Sequence, residues 1–177
     1  MTTSAALNEQ RRQKDTFFKT HPQSPLSPAQ QSAFNGLRYY DPNPSLDLTV
    51  TVERFPDDDY ITIETTSDEV RRYRRYGRFA FDIDGQTAQL TIYETPHGFF
   101  LPFVDSGANR ETYGGGRYLD PEMVSENEFH VNFNEAYNPY CVYSSGYSCP
   151  LTPFENRLSV AIRAGEKLPE GQWTTLE

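Results

Sequence analysis

Residues Val70–Tyr93 read VRRYRRYGRFAFDIDGQTAQLTIY, and this stretch decides the class of fold. Apolar and polar residues alternate from Phe79 to Ile83, which is typical of a strand with one buried face. Asp84-Gly85 follows and favours a tight hairpin turn, because both central positions of that turn need a positive φ. Leu90 and Ile92 carry the alternation into a returning strand. The stretch therefore predicts an antiparallel β-hairpin.

The same kind of pattern recurs on both sides of this hairpin. Further apolar or alternating segments of strand length are 48–53, 60–64, 99–104, 129–133 and 158–162. Successive strands are not separated by helical patterns, so a parallel βαβ arrangement is not indicated. We predict a mainly β fold, an antiparallel β-roll or barrel of about eight strands. Its core should be rich in aromatic residues, since the chain has 12 Tyr, 12 Phe and 1 Trp.

The helical patterns lie in the N-terminal part of the chain. Ser4–Thr20 is polar nearly throughout and predicts an α-helical arm that packs through a thin apolar stripe. Ser27-Pro28-Ala29-Gln30 is typical of a capping box at the start of a second, short helix. We therefore predict one domain, 1–177, with a helical arm (4–35), a β-roll (37–166) and a C-terminal tail (167–177) whose Trp173 docks onto the body.

Composition narrows the classes of function and location. The net charge of −9 argues against binding to nucleic acid or to an anionic membrane, since both require a basic face. No stretch approaches the roughly 20 apolar residues of a membrane helix. Residues 1–10 lack the basic and apolar segments of a secretory signal. We therefore expect a soluble, cytoplasmic protein.

A cluster of arginines lies in the middle of this acidic chain. Five of the 16 basic residues fall between Arg71 and Arg78, and Gly77 predicts a β-bulge that re-aims their side chains. Gly114–Gly116 lacks the lysine and helix of a phosphate loop, and it favours a strand that another backbone or a ligand approaches closely. One interpretation is a small-molecule pocket for a polar or anionic ligand, lined by Arg75, Arg78, Tyr113, Arg117, Tyr118, Asn134, Glu155 and Asn156.

The arginines also have a structural interpretation, which is the more frequent one for charged residues on strands. In that case they pair with carboxylates across the fold in a buried polar network, and the candidate partners are Asp105, Glu111, Glu135 and Glu155. Neither interpretation implies a particular cofactor.

The two cysteines, Cys141 and Cys149, are separated by seven residues. They lie in the irregular stretch His130–Asn156, whose aromatic residues favour an ordered loop. Three interpretations stay open for the pair: buried thiols, a disulfide that closes the loop, or reactive or metal-binding thiols. The wide spacing and three scattered histidines do not make a zinc ligand set, and we predict no metal site.

Two further functions are alternatives to the pocket. One is an enzyme, a hydrolase or a thiol-dependent enzyme, although no familiar hydrolase, metalloprotease or dinucleotide motif is present. Its candidate nucleophiles and acid–base groups are Cys141, Cys149, Asp105, Glu111 and Glu155. The other is a structural or interaction protein, in which the proline-rich loop 149–156 and the polar arm contact a partner or form a homodimer.

Seven motifs in this order resemble one known family: FFKTHPQSPL (17–26), RYGRFAF (75–81), FLPFVD (100–105), ETYGGGRYLD (111–120), NFNEAYNPYC (132–141), CPLTPFEN (149–156) and IRAGE (162–166). From Phe17 to Glu166, nearly its whole length, the chain is similar to the uncharacterised bacterial and archaeal domain of unknown function number 1684. The resemblance implies one full-length domain and brings no activity, substrate or cofactor. Asn132 departs from the family pattern, because it stands where the family has an acidic residue.

Overall fold

The computed structural model describes residues 2–171 of the chain. Two helices come first, α1 (Ser4–Thr20) and α2 (Pro28–Ala33). Nine strands follow within the described residues: β1 (Asp47–Thr51), β2 (Glu53–Arg54), β3 (Tyr60–Glu64), β4 (Val70–Ile83), β5 (Gln86–Thr95), β6 (Gly98–Phe103), β7 (Arg117–Leu119), β8 (Glu122–Ser125) and β9 (Glu128–Asn132). The fold is mainly β with an N-terminal helix, as the sequence predicted.

Helix α1 has the bounds that its sequence predicted. The hydroxyl of Thr3 accepts a hydrogen bond from the N–H of Ala6 and caps the first turn. Leu7 and Phe18 are buried, and they form the thin apolar stripe through which this polar helix packs on the body. The predicted capping box at Ser27 starts α2.

The hairpin predicted from the central stretch is present as β4 and β5. Its turn places Asp84 at φ 49° and Gly85 at φ 74°, the left-handed values that the turn requires. The register of the two strands shifts between Arg75 and Gly77, which confirms the predicted bulge. A side chain at Gly77 would collide with Val52 and the backbone of Glu53, so this position needs glycine.

The strands form two antiparallel sheets, ordered β1-β9-β8 and β2-β4-β5-β6-β7, with β3 also paired to β4. The predicted antiparallel β structure is confirmed, whereas closure into a barrel is not found among the described strands. The chain passes from the first sheet to the second at Val52, between β1 and β2. The outer edge of β7 does not pair with the other sheet, because Tyr118 forms an isolated bridge with Tyr137 of a loop.

The main core draws buried residues from both sheets and is rich in aromatic side chains. The rings of Phe103 and Phe133 meet edge to face at 5.4 Å, and those of Phe99 and Phe129 do so at 4.8 Å. A second apolar cluster lies where both helices meet the loop after β9, and its buried members are Phe18, Leu26, Phe34, Val142 and Tyr143.

The strand predicted at 158–162 is not formed. The N–H of Leu158 donates to the carbonyl oxygen of Val104, but the N–H of Ile162 donates to the carboxylate of Asp105 instead of a neighbouring strand. The segment is buried through Val160 and Ile162, which explains its apolar pattern. The predicted docking of Trp173 lies outside the described residues. Within residues 2–171, neither helix has the length and apolar character that a membrane crossing requires.

Candidate functional site

Arg75 of β4 lies in a network of carboxylates on the face of the larger sheet. Its guanidinium is 2.6 Å from Asp59 and 2.6 Å from Glu155. Hydrogen bonds from Arg75 to Glu155, opposed in part by burial, raise the pKa of the arginine. Tyr93 also donates to Glu155, at 2.5 Å. Arg78 lies apart from this network and pairs with exposed Glu53 at 3.3 Å.

Arg117 of β7 is buried inside the molecule, with only 1% of its surface exposed. It donates to the carbonyl oxygens of Ile162 and Glu166 at 2.8 and 3.0 Å, and also to that of Ala164. Burial lowers the pKa of Arg117, and the nearby carboxylate of Asp105 opposes that shift. Arg117 therefore links residues 162–166 to β7 through hydrogen bonds from its side chain, in place of the backbone hydrogen bonds of a β-ladder.

Asn156 and Tyr118 make similar links between side chain and backbone. The amide of Asn156, fully buried, donates to the carbonyl oxygens of Thr91 and Pro102 and accepts from the N–H of Thr91. The hydroxyl of Tyr118 donates to the carbonyl oxygen of Pro150. Burial raises the pKa of Tyr118, so this phenol stays protonated.

The eight predicted ligand-binding residues are thus distributed over the fold. The structure brings Arg75 and Glu155 together, but it does not place Arg78 or Arg117 beside them. Asn156 follows Glu155 in the chain, and its side chain binds the backbone of Thr91 and Pro102 instead. Tyr113 packs on the second apolar cluster instead. Two of the predicted carboxylate pairs are present, Arg117 with Asp105 and Arg75 with Glu155. Ligand binding at these residues stays a prediction. Asn134, the eighth, lines the cavity described below.

The two cysteines form a disulfide, with 6.4 Å between the Cα atoms of Cys141 and Cys149. Of the three interpretations left open by the sequence, the structure has the disulfide. The loop that it closes docks on the turn between β3 and β4, where the N–H of Thr66 donates to the carbonyl oxygen of Cys149 at 2.9 Å. Neither sulfur is a free thiolate in this form, so neither can act as a nucleophile.

A cavity of about 150 Å³ lies between α1 and the body of the protein. Helix α1 contributes one wall, and the opposite wall comes from the connection between α2 and β1, from the turn after β9 and from the segment around Glu166. Its lining residues are Leu7, Gln10, Arg11, Lys14, Tyr39, Asn134, Glu135, Ala136, Tyr137 and Glu166. It therefore combines an apolar interior with several ionisable groups, as binding sites commonly do.

Two charged residues of this cavity have no ion pair in the described part of the chain, the exposed Glu135 and the more buried Arg11. Arg11 is the cation of the two. Its guanidinium lies 3.3 and 3.4 Å from the carbonyl oxygens of Tyr40 and Asn134, which are long hydrogen bonds. Its Nε atom is buried and has no acceptor among the described residues. Burial lowers the pKa of Arg11, and electrostatic interactions with Tyr39, Glu166 and Asp41 oppose this shift in part.

Tyr39 lies beside Arg11 and shares this lack of a partner. The guanidinium carbon of Arg11 is 4.2 Å from the centre of the Tyr39 ring. The phenolic oxygen of Tyr39 is buried and has no hydrogen-bond partner within residues 2–171. Burial raises the pKa of Tyr39, with Glu166 adding to the shift, so the hydroxyl remains a donor. Buried groups without partners are infrequent in folded proteins, which marks this cavity as a candidate site.

Lys14 and Glu166 also line the cavity, and their charges neutralise each other. The ammonium of Lys14 pairs directly with the Glu166 carboxylate, which is 2% exposed. The same carboxylate accepts from the N–H of Asn138 at 2.7 Å. Lys14 is therefore neutralised by the protein itself, which leaves Arg11 as the cation of the cavity without an ion pair among the described residues.

The sequence had singled out Asn134 as a ligand-binding residue and Glu135 as a partner of the arginines, but not the other polar residues of the cavity. Arg11 and Lys14 are two polar residues of a polar helix, and Tyr39 and Glu166 are 127 positions apart in the sequence. The available signal was their spacing on α1, where Leu7, Arg11 and Lys14 follow the i, i+4, i+7 pattern of one helix face.

Comparison with known proteins identifies the family of this chain. A family model described as "Protein of unknown function (DUF1684)" matches residues 32–167. The chain belongs to the DUF1684 family. None of the curated proteins matches the chain. A solution NMR structure, that of an uncharacterised protein from gene locus rrnAC0354 of Haloarcula marismortui, is similar to it. The two chains are 35% identical, the match covers 92% of each, and the TM-score is 0.68.

Two parts of the cavity differ in their relation to the DUF1684 model. Tyr39, Asn134 and Glu166 lie within the matched residues, whereas Arg11 and Lys14 of α1 precede them. Asn134 and Glu166 stand in the motifs NFNEAYNPYC and IRAGE. The family assignment confirms the resemblance seen in the sequence and leaves the activity open.

Proposed function

We propose that this DUF1684 protein binds a small anionic molecule in the cavity beneath α1. The observation that carries the proposal is Arg11, a half-buried arginine that forms no ion pair with a carboxylate of the described chain and whose Nε has no acceptor there. An unpaired charge inside a fold is costly, and the cost is offset when an anion occupies the position beside it. A guanidinium suits this task, since its fork of donors matches carboxylate and phosphate oxygens.

The uncommitted hydroxyl of Tyr39 supports the same proposal. A bound anion would accept from both the buried Nε of Arg11 and the Tyr39 hydroxyl, and two orphan donors would be satisfied at once. The sequence predicts a polar or anionic ligand held by arginine and tyrosine side chains. We propose the same class of ligand at a different arginine and a different tyrosine, Arg11 and Tyr39.

The proposal is tested by measuring the melting temperature of the full chain in a panel of sodium salts. The panel contains acetate, benzoate, inorganic phosphate and sulfate, with chloride as the reference. At least one anion should raise the melting temperature above its value in chloride, because a ligand that binds only the folded state stabilises it. The shift should disappear in Arg11→Gln. If no anion in the panel acts through Arg11, the proposal fails.

Arg12→Gln is the matched control for that experiment. Arg12 is the next residue of α1, but it faces solvent and pairs with Glu9. The substitution removes the same charge from the same helix and leaves the cavity unchanged. It should therefore keep the anion-induced shift, whereas a general salt effect on an acidic protein would fall equally in both variants.

A second candidate function, an interaction surface, is supported by Phe154. Its side chain is 88% exposed, while the neighbouring Glu155 and Asn156 are anchored by Arg75 and Thr91. An exposed phenylalanine held by fixed neighbours suits a contact with a second copy of the chain. If so, the mass in solution should rise with protein concentration and fall in Phe154→Ser. Val124→Ser, at an exposed valine of β8, is the control.

A cytoplasmic location stays a prediction. The Cys141–Cys149 disulfide supports an oxidising compartment instead, because cytosolic proteins usually keep their thiols reduced. Alkylation of the protein in freshly broken native cells, followed by mass measurement, would distinguish free thiols from a disulfide in place.

A further inference from the structure

We propose that the ligand of the cavity beneath α1 is a small monocarboxylate with an apolar body, of about the size of benzoate. This inference rests on the proposed function and specifies the class of anion. It follows from the volume of the cavity, its apolar lining and the balance of charge around it.

The volume sets the size of the ligand. The cavity measures about 150 Å³. An apolar protein cavity of about that volume holds one benzene molecule, so a single ring or a short branched chain fills this one. The cavity is partly open to solvent, so this volume applies to the part of a ligand that the cavity holds.

The lining favours an apolar body. Leu7 and Ala136 are 5% and 1% exposed, and they face the cavity together with the rings of Tyr39 and Tyr137. The hydroxyl of Tyr137 already donates to Asp120 at 2.9 Å, so Tyr137 contributes its apolar ring to the cavity lining. Removing the apolar surface of a ligand from water against these side chains would contribute about 25 cal/mol per Å².

The charge balance favours a single negative charge on the ligand. Lys14 is neutralised by Glu166, and this leaves Arg11 as the cation of the cavity without an ion pair among the described residues. Glu135 and Glu166 are carboxylates that line the same cavity. They repel a dianion more strongly than a monoanion, so inorganic phosphate is a poorer ligand than a carboxylate.

The orphan donors match the two oxygens of a carboxylate. The Nε–H of Arg11 and the hydroxyl of Tyr39 are buried donors without acceptors among the described residues, and both residues line the cavity. A carboxylate has an oxygen for each, and its substituent would then extend toward Leu7 and Ala136. A neutral amide of the same shape offers one acceptor and no charge, so it should bind more weakly.

The test is calorimetric titration of the full chain with four probes: benzoate, benzamide, acetate and inorganic phosphate. Benzoate should bind at least about tenfold more tightly than benzamide, since a hydrogen bond to a charged group exceeds a neutral one by that order. It should also bind more tightly than acetate, which lacks the apolar body, and more tightly than phosphate.

Three variants locate the binding. Arg11→Gln should weaken benzoate binding by about tenfold or more, and Arg12→Gln should leave it unchanged. Tyr39→Phe removes only the hydroxyl and should also weaken benzoate binding. Because that hydroxyl has no partner in the described part of the protein, Tyr39→Phe should not lower the melting temperature of the free protein. If the hydroxyl had a purely structural role, Tyr39→Phe would lower the melting temperature and leave benzoate binding unchanged.

The outcomes separate the two proposals. If phosphate binds through Arg11 and benzoate does not, the class of ligand is wrong and the anion site stands. If benzamide binds as tightly as benzoate, recognition by charge is wrong. If none of the four probes binds, both the class and the proposed function are overturned.

Discussion

The guanidinium of Arg117 lies 3.5 Å from the carboxylate of Asp105, and both side chains are 1% exposed. Asp105 also accepts from the hydroxyl of Thr112 at 2.7 Å and from the N–H of Ile162 at 2.8 Å. The pair therefore ties the loop after β6 and the segment 162–166 to β7. Arg117, which the sequence suggested as a ligand-binding residue, therefore has a structural role inside the fold.

Replacing Asp105 by alanine should lower the free energy of unfolding by about 3–5 kcal/mol, measured by urea titration. The substitution leaves the buried charge of Arg117 uncompensated and removes the acceptor of two further donors. Arg163→Ala is the control, since its ion pair with Glu111 is exposed and should contribute about 1 kcal/mol or less. Equal losses in the two variants would contradict the structural role.

The elements of this fold that depend on local pattern could be predicted from the sequence. Helix α1 and the β4–β5 hairpin have the predicted positions, because the cap at Thr3 and the turn at Asp84-Gly85 act over a few residues. The segment 158–162 has an equally clear pattern but is not a strand. The N–H of Ile162 donates to the carboxylate of Asp105, 57 residues away in the sequence. A partner at that distance leaves no local pattern in the sequence.

Gly116→Ala should be more destabilising than Gly98→Ala, although both glycines have a positive φ, +103° and +133°. At Gly98 a methyl group meets nothing within 4 Å, so only backbone strain of about 1–3 kcal/mol is expected. At Gly116 the methyl carbon would also lie 2.8 Å from the carbonyl oxygen of Phe103, adding about 1–3 kcal/mol of overpacking. Urea unfolding of both variants would check the order, and equal losses would contradict the close approach.

The close approach at Gly116 was predictable from Gly114–Gly116, but the strand predicted for these glycines is wrong, because Gly114 and Gly115 form a turn before β7. The cavity beneath α1 was not predictable. Its walls come from segments far apart in the sequence, and the site is defined by the absence of partners for the Nε of Arg11 and the hydroxyl of Tyr39 among the described residues. A sequence shows which groups are polar and does not show which of them remain unsatisfied after folding. For the same reason, Asn156 could be singled out as a candidate ligand-binding residue when its partners are backbone groups of Thr91 and Pro102.

Replacing both Cys141 and Cys149 by serine should lower the free energy of unfolding by about 2–3 kcal/mol. The two residues are eight positions apart, and a cross-link of that span restricts the unfolded chain by this amount. Urea unfolding with and without reductant checks the value, since the reduced wild type should match the double variant. If reductant destabilises the double variant equally, the loss does not arise from this bond.

The ionised form of Glu155 should contribute to stability at neutral pH and cease to do so in acid. Burial raises the pKa of Glu155, but hydrogen bonds from Arg75 and Tyr93 outweigh it, and the net pKa lies below the ordinary value of 4.5. A carboxyl whose pKa falls on folding stabilises the fold above its unfolded pKa. This stabilisation is lost as the pH drops through the lowered folded pKa.

Glu155→Gln should therefore lower the free energy of unfolding by about 1–3 kcal/mol at pH 7, and by progressively less below the ordinary glutamate pKa. Urea titrations of wild type and variant across this range give the difference at each pH. Glu53→Gln is the matched control, because Glu53 pairs with Arg78 at an exposed site of the same sheet and should differ little from wild type. A difference for Glu155→Gln that stays constant into acid would show that packing, and not the charge of the carboxylate on Arg75 and Tyr93, accounts for the loss.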